Sequence, residues 1–321
     1  MRKFAMILSV LLIAGASVAH GADKKKIVIG LVAKSQSNPV FQAAYAGAKD
    51  GARELGPQYG VDVEIDWQTP PDEDAQKQAE AIEQLARGGA QGIIVSCSDA
   101  NTCTPAINKA VELGSVVMCF DSDAPRTKRL CCYGADDIIC GKLVMTELAR
   151  VMKDKGTIAI LAGNQAAPNL QKRVQGVKDE LKNHPNIKLL PDGVFYHPET
   201  PEQASEAVNT AQSTHPDIEG WAMIGGWPLF AKNALKWAPG TVKVVSVDAL
   251  PPELGYVRSG HVAALFAQDC YGWGHKSVEI LLNKIVRGEN PKDVHIIDPL
   301  TKVTKDNADA FGKNWDKWLK K

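Results

Sequence analysis

Short apolar, β-branched segments alternate with longer segments of helical periodicity along most of the chain. In the first half, strands and helices are predicted in turn over residues 27–33, 40–55, 61–66, 73–87, 92–96, 105–113 and 115–120. Strands that are apolar throughout are buried on both faces, and helices between them make right-handed crossovers, so the sheet is expected to be parallel. The pattern predicts a doubly wound α/β unit.

The same alternation restarts after residue 134. Segments 138–153, 157–162, 169–182, 188–190, 202–214, 221–224, 230–236 and 242–247 continue it, followed by a strand at 262–268, a helix at 272–286 and a closing helix at 306–319. No Gly/Ser-rich tether separates the two halves, which favours several chain crossings between them over a single linker. We therefore predict two similar α/β lobes in one compact chain.

The first 21 residues have the pattern of a secretory signal peptide. Arg2 and Lys3 precede an apolar core at 6–18, and small residues follow at 19–21. The core is shorter than the roughly 20 residues that a membrane span needs, and no Cys follows it to carry a lipid anchor. We predict an exported, periplasmic protein, although an uncleaved start is the alternative.

Charge argues against nucleic acid as a partner. The chain has 37 basic and 37 acidic residues, and removal of Arg2 and Lys3 leaves 37 − 2 = 35 basic residues and a net charge of about −2. The roughly 300 remaining residues are enough for two domains with real cores. A small molecule or a protein is the expected partner.

Seven cysteines are present, and six of them fall within residues 97–140. In an exported protein, one to three disulfides are expected from such a set, with the pairing left open. The spacing does not match the Cys and His pairs of a zinc site, so we predict no metal.

Polar residues follow the predicted strands at their carboxyl ends, where ligands bind in open α/β sheets. They are Lys34 to Asn38, Ser96 to Asn101, Asp121 and Asp123, Asn164 and Gln165, Asp248, and Gln268. Two lobes with facing polar rims predict a ligand cleft between them.

Each candidate also has a purely structural interpretation. Asn38-Pro39 is a good helix start, and Phe41 is more often a core residue than a ligand platform. Arg173 fits a solvated helix face or, with its forked guanidinium, a ligand contact. Trp227, after two glycines, fits a surface plug or a flat platform for a sugar ring.

Asp121 and Asp123 lie in the segment Phe120-Asp-Ser-Asp-Ala-Pro125, after an apolar strand. They fit helix capping or turns, and they equally fit hydrogen bonds from ligand hydroxyls. A glycoside hydrolase needs two carboxylates on opposite sides of a bond, which a spacing of two along one loop does not show. The nucleophile-elbow, zinc-protease, P-loop and dinucleotide motifs are absent from the sequence. Binding is therefore favoured over catalysis, and no cofactor is predicted.

Several short motifs, taken in order, resemble those of the type I periplasmic solute-binding proteins, ribose/galactose branch. They are Ser-Asn-Pro-Val-Phe-Gln42, Gly92-Ile-Ile-Val-Ser96, Phe120-Asp-Ser-Asp-Ala-Pro125, Leu161-Ala-Gly163 with Arg173-Val-Gln-Gly176, Val245-Ser-Val-Asp248 and Ala267-Gln268. The resemblance covers essentially the whole chain after residue 21. It implies two doubly wound parallel-sheet lobes joined by three crossovers, with bounds expected at 22–136 plus 268–299 and at 137–267 plus 300–321.

The resemblance also implies a role for individual residues. Asn38 and Asp248 would bond sugar hydroxyls, Phe41 would stack on the ring, and Asp121 matches the carboxylate after the fourth strand. Arg173 would bond ring or anomeric oxygens, and Gln268 is a hinge amide. Three departures bear on the sugar: Lys34 replaces a small hydroxyl residue of ribose binders, Ser122 replaces an Arg, and Gly225-Gly226-Trp227 replaces an Asn-Asp pair.

Lys34 is expected to pair with Asp121 or Asp123 or to meet an acidic ligand, and Tyr196 or His197 is a candidate second platform for a sugar ring.

The predicted ligand-binding set is Lys34, Asn38, Phe41, Asp121, Asp123, Arg173, Trp227, Asp248 and Gln268. The prediction is a monomeric, non-catalytic binding component of an ABC importer, which takes a monosaccharide or related polyol and acts with a membrane permease. A sugar-sensing partner of a chemoreceptor or sensor kinase is the alternative, followed by a periplasmic carbohydrate-active hydrolase.

Overall fold

The computed structural model describes residues 24–318, so the predicted signal peptide lies outside the described residues. The chain builds two six-stranded sheets of the same strand order. We call each sheet with the helices packed on it a lobe. None of the described helices is long and apolar enough to cross a lipid bilayer.

The first lobe is wound around an all-parallel sheet with the strand order β11-β5-β4-β3-β1-β2. Its strands are β1 (Lys25–Val32), β2 (Val61–Trp67), β3 (Gly92–Val95), β4 (Val116–Phe120), β5 (Cys132–Gly134) and β11 (His295–Ile297). Its helices are α1 (Pro39–Leu55), α2 (Ala75–Arg87), α3 (Ala100–Glu112) and α8 (Cys270–Arg287). Alternate residues of β1 pack against different helix pairs: Ile27, Ile29 and Leu31 contact α1 and α8, whereas Val28 and Val32 face α2 and α3.

The second lobe has the order β12-β10-β9-β8-β6-β7, parallel except where β12 meets β10. Its strands are β6 (Gly156–Gly163), β7 (Ile187–Tyr196), β8 (Gly220–Met223), β9 (Lys243–Val247), β10 (Ala264–Ala267) and β12 (Thr301–Val303). Its helices are α4 (Asp137–Met152), α5 (Pro168–Leu181), α6 (Pro201–Thr214) and α7 (Pro251–Ser259). The last helix, α9 (Ala308–Trp318), packs on α7, and its Trp318 stacks on Tyr271 of the first lobe.

The chain passes between the two sheets three times, after β5, after β10 and between β11 and β12. Two α/β lobes of mainly parallel strands, joined by several crossings, are thus confirmed. The residue bounds given above for the two lobes stay a prediction.

Residues 230–236, predicted as helical, do not form a helix. A short 3-10 helix spans Trp227–Phe230, and the following backbone is irregular. Side chains satisfy its polar groups, because the Asn209 amide donates to the Ala234 carbonyl over 2.6 Å and the Ala234 amide donates to the Tyr256 hydroxyl over 2.7 Å. Those bonds replace the ones that a helix would have supplied. The sequence analysis also missed α7, β5, β11 and β12.

Glycines let the main helix pair of each lobe touch backbone to backbone. A Cβ at Gly274 would lie 1.8 Å from the Ala44 carbonyl oxygen between α8 and α1. In the second lobe, a Cβ at Gly141 would lie 2.0 Å from the Arg173 carbonyl oxygen, between α4 and α5. Both distances are far below van der Waals contact, so larger side chains would push these helices apart.

Gly274→Ala is expected to lower the free energy of unfolding by about 1–3 kcal/mol, because the new methyl group overlaps backbone that cannot rotate away. Gly255→Ala is the matched control: it lies within α7 with nothing inside 4 Å of the added Cβ, and it should be neutral or stabilising by about 0.5–1 kcal/mol. Urea unfolding of both variants measures the difference. Equal midpoints would contradict the close helix contact.

Candidate functional site

Two carboxylates stand at equivalent strand ends of the two lobes. Asp121 follows β4 with φ 52°, and Asp248 follows β9 with φ 74°. Left-handed backbone is unfavourable for residues other than glycine and persists where the surroundings hold it, often at functional sites. Both side chains are buried, at 8% and 5% exposure. The two acids are therefore held in place where the sheets present their carboxyl ends.

Each of these acids is fixed by polar neighbours. One Asp121 oxygen accepts a bond from the Ser96 hydroxyl over 2.9 Å. Asp248 accepts from the side-chain amide of Gln268 over 2.8 Å and from the Gly226 backbone N–H over 3.3 Å. Burial raises the pKa of Asp248 above its ordinary value, although Arg173 and these bonds oppose that rise.

Arg173 joins the two lobes at the centre of the site. Its guanidinium donates to the Asp137 carboxylate over 2.9 Å, to the Gln268 side-chain oxygen over 2.7 Å and to the Ile224 carbonyl over 3.2 Å. It also reaches Asp121 of the first lobe over 3.5 Å. Arg173 is only 2% exposed, so the interpretation of it as a solvated helix-face residue is wrong.

Lys34 crosses from the first lobe into the second and is also 2% exposed. Its ammonium donates to the Glu199 carboxylate over 3.3 Å and to the Asn169 side-chain oxygen over 3.4 Å. The Asn169 amide in turn donates to Asp121 over 3.0 Å. The expected pairing of Lys34 with Asp121 or Asp123 is thus wrong, because the loop after β7 brings Glu199 closer.

Burial shifts the titration of several of these groups. It raises the pKa of Glu199 to about 7, partly offset by Lys34, and it raises the pKa of Asp137 to about 6, partly offset by Arg173. Burial alone would lower the pKa of Lys34, but the carboxylates of Glu199, Asp121 and Glu73 together raise it. The site is consequently held together by pairs of charged groups from which burial largely excludes water.

Other predicted residues lie in the lobe cores beside this network. The Asn38 side chain accepts from the Val40 N–H over 3.1 Å and caps α1. Phe41 packs against Phe120 and Trp273 at centroid distances of 6.2 and 6.3 Å. Trp227, 4% exposed, meets the His197 ring edge-on at 5.0 Å. Capping and packing account for all these contacts, and ligand contact by Asn38, Phe41 and Trp227 stays a prediction.

Asp123 has a partner within its own lobe. Arg129 donates two hydrogen bonds to its carboxylate, and His295 lies 3.7 Å away. All three residues belong to the first lobe, so Asp123 is not joined to the network of Arg173 and Lys34. The pair of acids invoked for a hydrolase is therefore split between two different environments.

Four site residues escaped the sequence analysis: Glu73, Asp137, Asn169 and Glu199. Glu199 was missed because β7 was predicted to end at residue 190, whereas it continues to Tyr196 through register shifts in its pairing with β6. Asn169 is the second residue of α5, after Pro168, and a polar residue in the first turn of the helix that follows β6 offered a usable signal.

The expected disulfides are not formed: all seven cysteines are buried free thiols. Burial raises the pKa of Cys131 and that of Cys140 to about 12, which leaves both thiols protonated. Residues 24–318 contain no cluster of His, Cys, Asp and Glu side chains suited to a metal ion.

Glu199→Gln is expected to change how stability depends on pH. Glu199 titrates near 7 in the folded protein instead of near its ordinary 4.5, so between these values the folded chain binds a proton that the unfolded chain has lost. The free energy of unfolding then falls as pH rises through this window. Relative to the variant, the native protein should lose stability between about pH 5 and about pH 8, measured by urea unfolding. Asp137, whose pKa is also raised, is present in both proteins and so does not affect their difference. Parallel curves of unfolding free energy against pH would contradict the raised pKa of Glu199.

Known proteins resemble this chain over nearly its whole length. A D-ribose/D-allose-binding protein of Pseudomonas aeruginosa is 26% identical over 304 residues, which are 90% of this chain and 92% of that protein. A D-apiose import binding protein of Actinobacillus succinogenes is 25% identical over 297 residues, covering 89% and 91%.

Solved structures agree on the fold. An ABC transporter solute-binding protein of Burkholderia graminis in complex with D-arabinose superposes with a TM-score of 0.81 at 25% identity, covering 89% of this chain and 97% of that one. A glucose-galactose binding protein of Geobacillus stearothermophilus gives 0.76 at 24% identity, covering 88% and 99%. The family model described as periplasmic binding protein domain matches residues 29–290. Members of this family are solute-binding proteins and not enzymes, and this chain belongs to it.

Proposed function

We propose that this protein binds a monosaccharide or a related polyol between its two lobes and delivers it to the membrane permease of an ABC importer. Its relatives are named for ribose and allose, xylitol, apiose or arabinose. We further propose that it acts in the periplasm as a monomer, with lobes bounded at 22–136 plus 268–299 and at 137–267 plus 300–321.

The observation that carries the proposal is the ring of buried hydrogen-bonding side chains between the sheets. Asp121 and Asp248 offer acceptors, Arg173 offers donors, and Asn169 and Gln268 offer both. A sugar hydroxyl donates one hydrogen bond and can accept others. The adjacent hydroxyls of a sugar ring can therefore pair with this mixed set of donors and acceptors. Bonds to charged partners contribute about 1.5–3 kcal/mol each when water is excluded.

Contacts between the lobes support a closing motion. Asn169 bonds Asp121, Lys34 bonds Glu199, and the Asn164 amide donates to Glu73 over 2.9 Å. These bonds form only when the sheets approach, and a ligand must part them to enter. Sugar binding would then shift the balance between open and closed forms about the three crossings.

Four predicted residues complete the proposed site from the cores. Phe41 lies in the core of the first lobe and Trp227 in that of the second, and Asn38 and Asp123 follow strand ends of the first lobe. We propose that one face of Phe41 and one face of Trp227 meet the sugar ring, a contact worth about 0.5–1.5 kcal/mol beyond the area that it buries.

A thermal-shift screen against pentoses, hexoses and sugar alcohols tests the proposal directly. A ligand at about 100 times its dissociation constant should add about 2.7 kcal/mol to the stability, and we expect a selective rise with a subset of the panel. Isothermal titration then measures the affinity of each hit. No shift with any sugar or polyol, charged or neutral, would contradict carbohydrate binding.

Asp248→Asn should weaken the best hit of that screen by about 10- to 100-fold, because the charged acceptor becomes neutral. Asp217→Asn is the matched control, since Asp217 is exposed and lies before β8, away from the strand ends of the cleft. Equal affinities for both variants would remove Asp248 from the site.

A further inference from the structure

The Lys34 ammonium lies between the two lobes, where it bonds Asn169 and Glu199 of the second lobe. Its side chain is almost fully buried, and the carboxyl groups that act on its charge are those of Glu199, Asp121 and Glu73. Lys34 belongs to the irregular loop between β1 and α1, whereas Glu199 belongs to the second lobe. Parting the lobes would therefore withdraw this ammonium from Glu199. The cleft already accommodates a primary ammonium, supplied in this structure by the protein itself.

Acids outnumber bases around this point. Two buried cations, Lys34 and Arg173, face five carboxyl groups: the half-buried Glu73, and Asp121, Asp137, Glu199 and Asp248, whose side chains are buried. Burial raises the pKa of Glu199 to about 7, so this group carries only part of a negative charge at neutral pH, and a nearby cation favours its charged form. Each uncompensated negative charge in such a dry site costs free energy. An anionic sugar would add to that cost, a neutral sugar would leave it unchanged, and a cation would reduce it.

A neighbouring cavity of about 470 Å³ adds a free acceptor. It lies between the lobes and is lined by Glu73, Asn164, His197 and their neighbours. His197 is 6% exposed, and its Nδ1 lies 2.6 Å from the Pro198 carbonyl, so Nδ1 carries the proton. Burial lowers the pKa of His197 and favours the neutral ring. Its Nε2 is then a buried acceptor with no partner among residues 24–318.

We propose that the preferred ligand is a sugar or polyol bearing a protonated amine, which takes the place of the Lys34 ammonium among Glu199, Asp121 and Glu73. The inference rests on the proposed carbohydrate-binding function and restricts the preferred ligands to positively charged sugars or polyols. The excess of acids attracts the ammonium, and the unpaired His197 nitrogen accepts a further donor from the ligand. Lys34 competes with the ligand amine instead of pairing with a ligand acid.

Matched sugars that differ in charge alone test the proposal. D-glucose, D-glucosamine and D-glucuronate share one ring, as do D-galactose, D-galactosamine and D-galacturonate, and each is titrated calorimetrically into the native protein. We expect the amine of at least one set to bind about tenfold or more tightly than its neutral partner, and the acid to bind most weakly.

Two variants test whether tighter binding of the amine is due to the acids of the cleft: one removes an acid and the other removes the competing ammonium. Glu199→Gln should reduce the ratio of amine to neutral-sugar affinity, whereas the exposed Glu289→Gln should leave it unchanged. Lys34→Met should tighten binding of the amine, because the competing ammonium is gone. Far-ultraviolet circular dichroism checks that each variant is folded.

The outcomes distinguish this inference from the proposed function. Tighter binding of the neutral sugar in both sets, or of the acid in either, would overturn the amine preference while carbohydrate binding stands. Weaker binding of the amine to Lys34→Met than to the native protein would also overturn it. Binding of no amine at all, together with hits among the neutral pentoses or polyols, rejects the inference alone. If none of the tested sugars or polyols binds, both the amine preference and the proposed carbohydrate binding are rejected.

Discussion

The buried guanidinium of Arg173 is the interaction on which the site depends. It holds Asp137 of its own lobe, Asp121 of the other lobe and Gln268 at a crossing between them. A buried cation is tolerated only where carboxylates and carbonyls surround it, and removing one partner leaves a costly unpaired charge. Its backbone position is set in turn by Gly141, whose missing side chain lets α4 touch α5 at the Arg173 carbonyl. Helix packing, charge pairing and lobe closure therefore meet at one residue.

The two lobes use equivalent positions for equivalent tasks. Their sheets share one strand order, so β4 corresponds to β9, and the acids that follow them, Asp121 and Asp248, both adopt left-handed backbone. In the same way, Gly274 and Gly141 close the main helix pair of each lobe. Such a pair of facing, similar rims can enclose a small ligand from both sides. Lys34 and Glu199 pair across the lobes without a counterpart, and we propose that they supply the asymmetry that selects the ligand. Specificity then lies in the loops, while the repeated framework provides the geometry.

Most of the architecture was accessible from the sequence, because buried parallel strands are apolar throughout and their helices carry a clear period. The failures have physical reasons. The irregular backbone at 231–236 is stabilised by the distant side chains of Asn209 and Tyr256, and the register shifts of β7 hid its true length. One to three disulfides were expected, but all seven thiols are buried and free, and pairing depends on a tertiary geometry that sequence spacing does not give. Five of the site residues named from the sequence belong to one hydrogen-bonded network in the structure: Lys34, Asp121, Arg173, Asp248 and Gln268. The partners of Lys34 within that network could not be predicted from local sequence spacing.

The sequence by itself determined the α/β alternation, the placement of polar residues at strand ends and the motif order that resembles sugar-binding proteins. Those features are local, since each depends on residues a few positions apart. Only the tertiary structure decided which charges meet. Lys34 and Glu199 are 165 positions apart, and Arg173 and Gln268 are 95 apart, so their pairing depends on how three chain crossings bring two sheets together. The strength of electrostatic interactions in a dry site depends on these distances and on burial. The charge of the preferred ligand could therefore be inferred only from the tertiary structure.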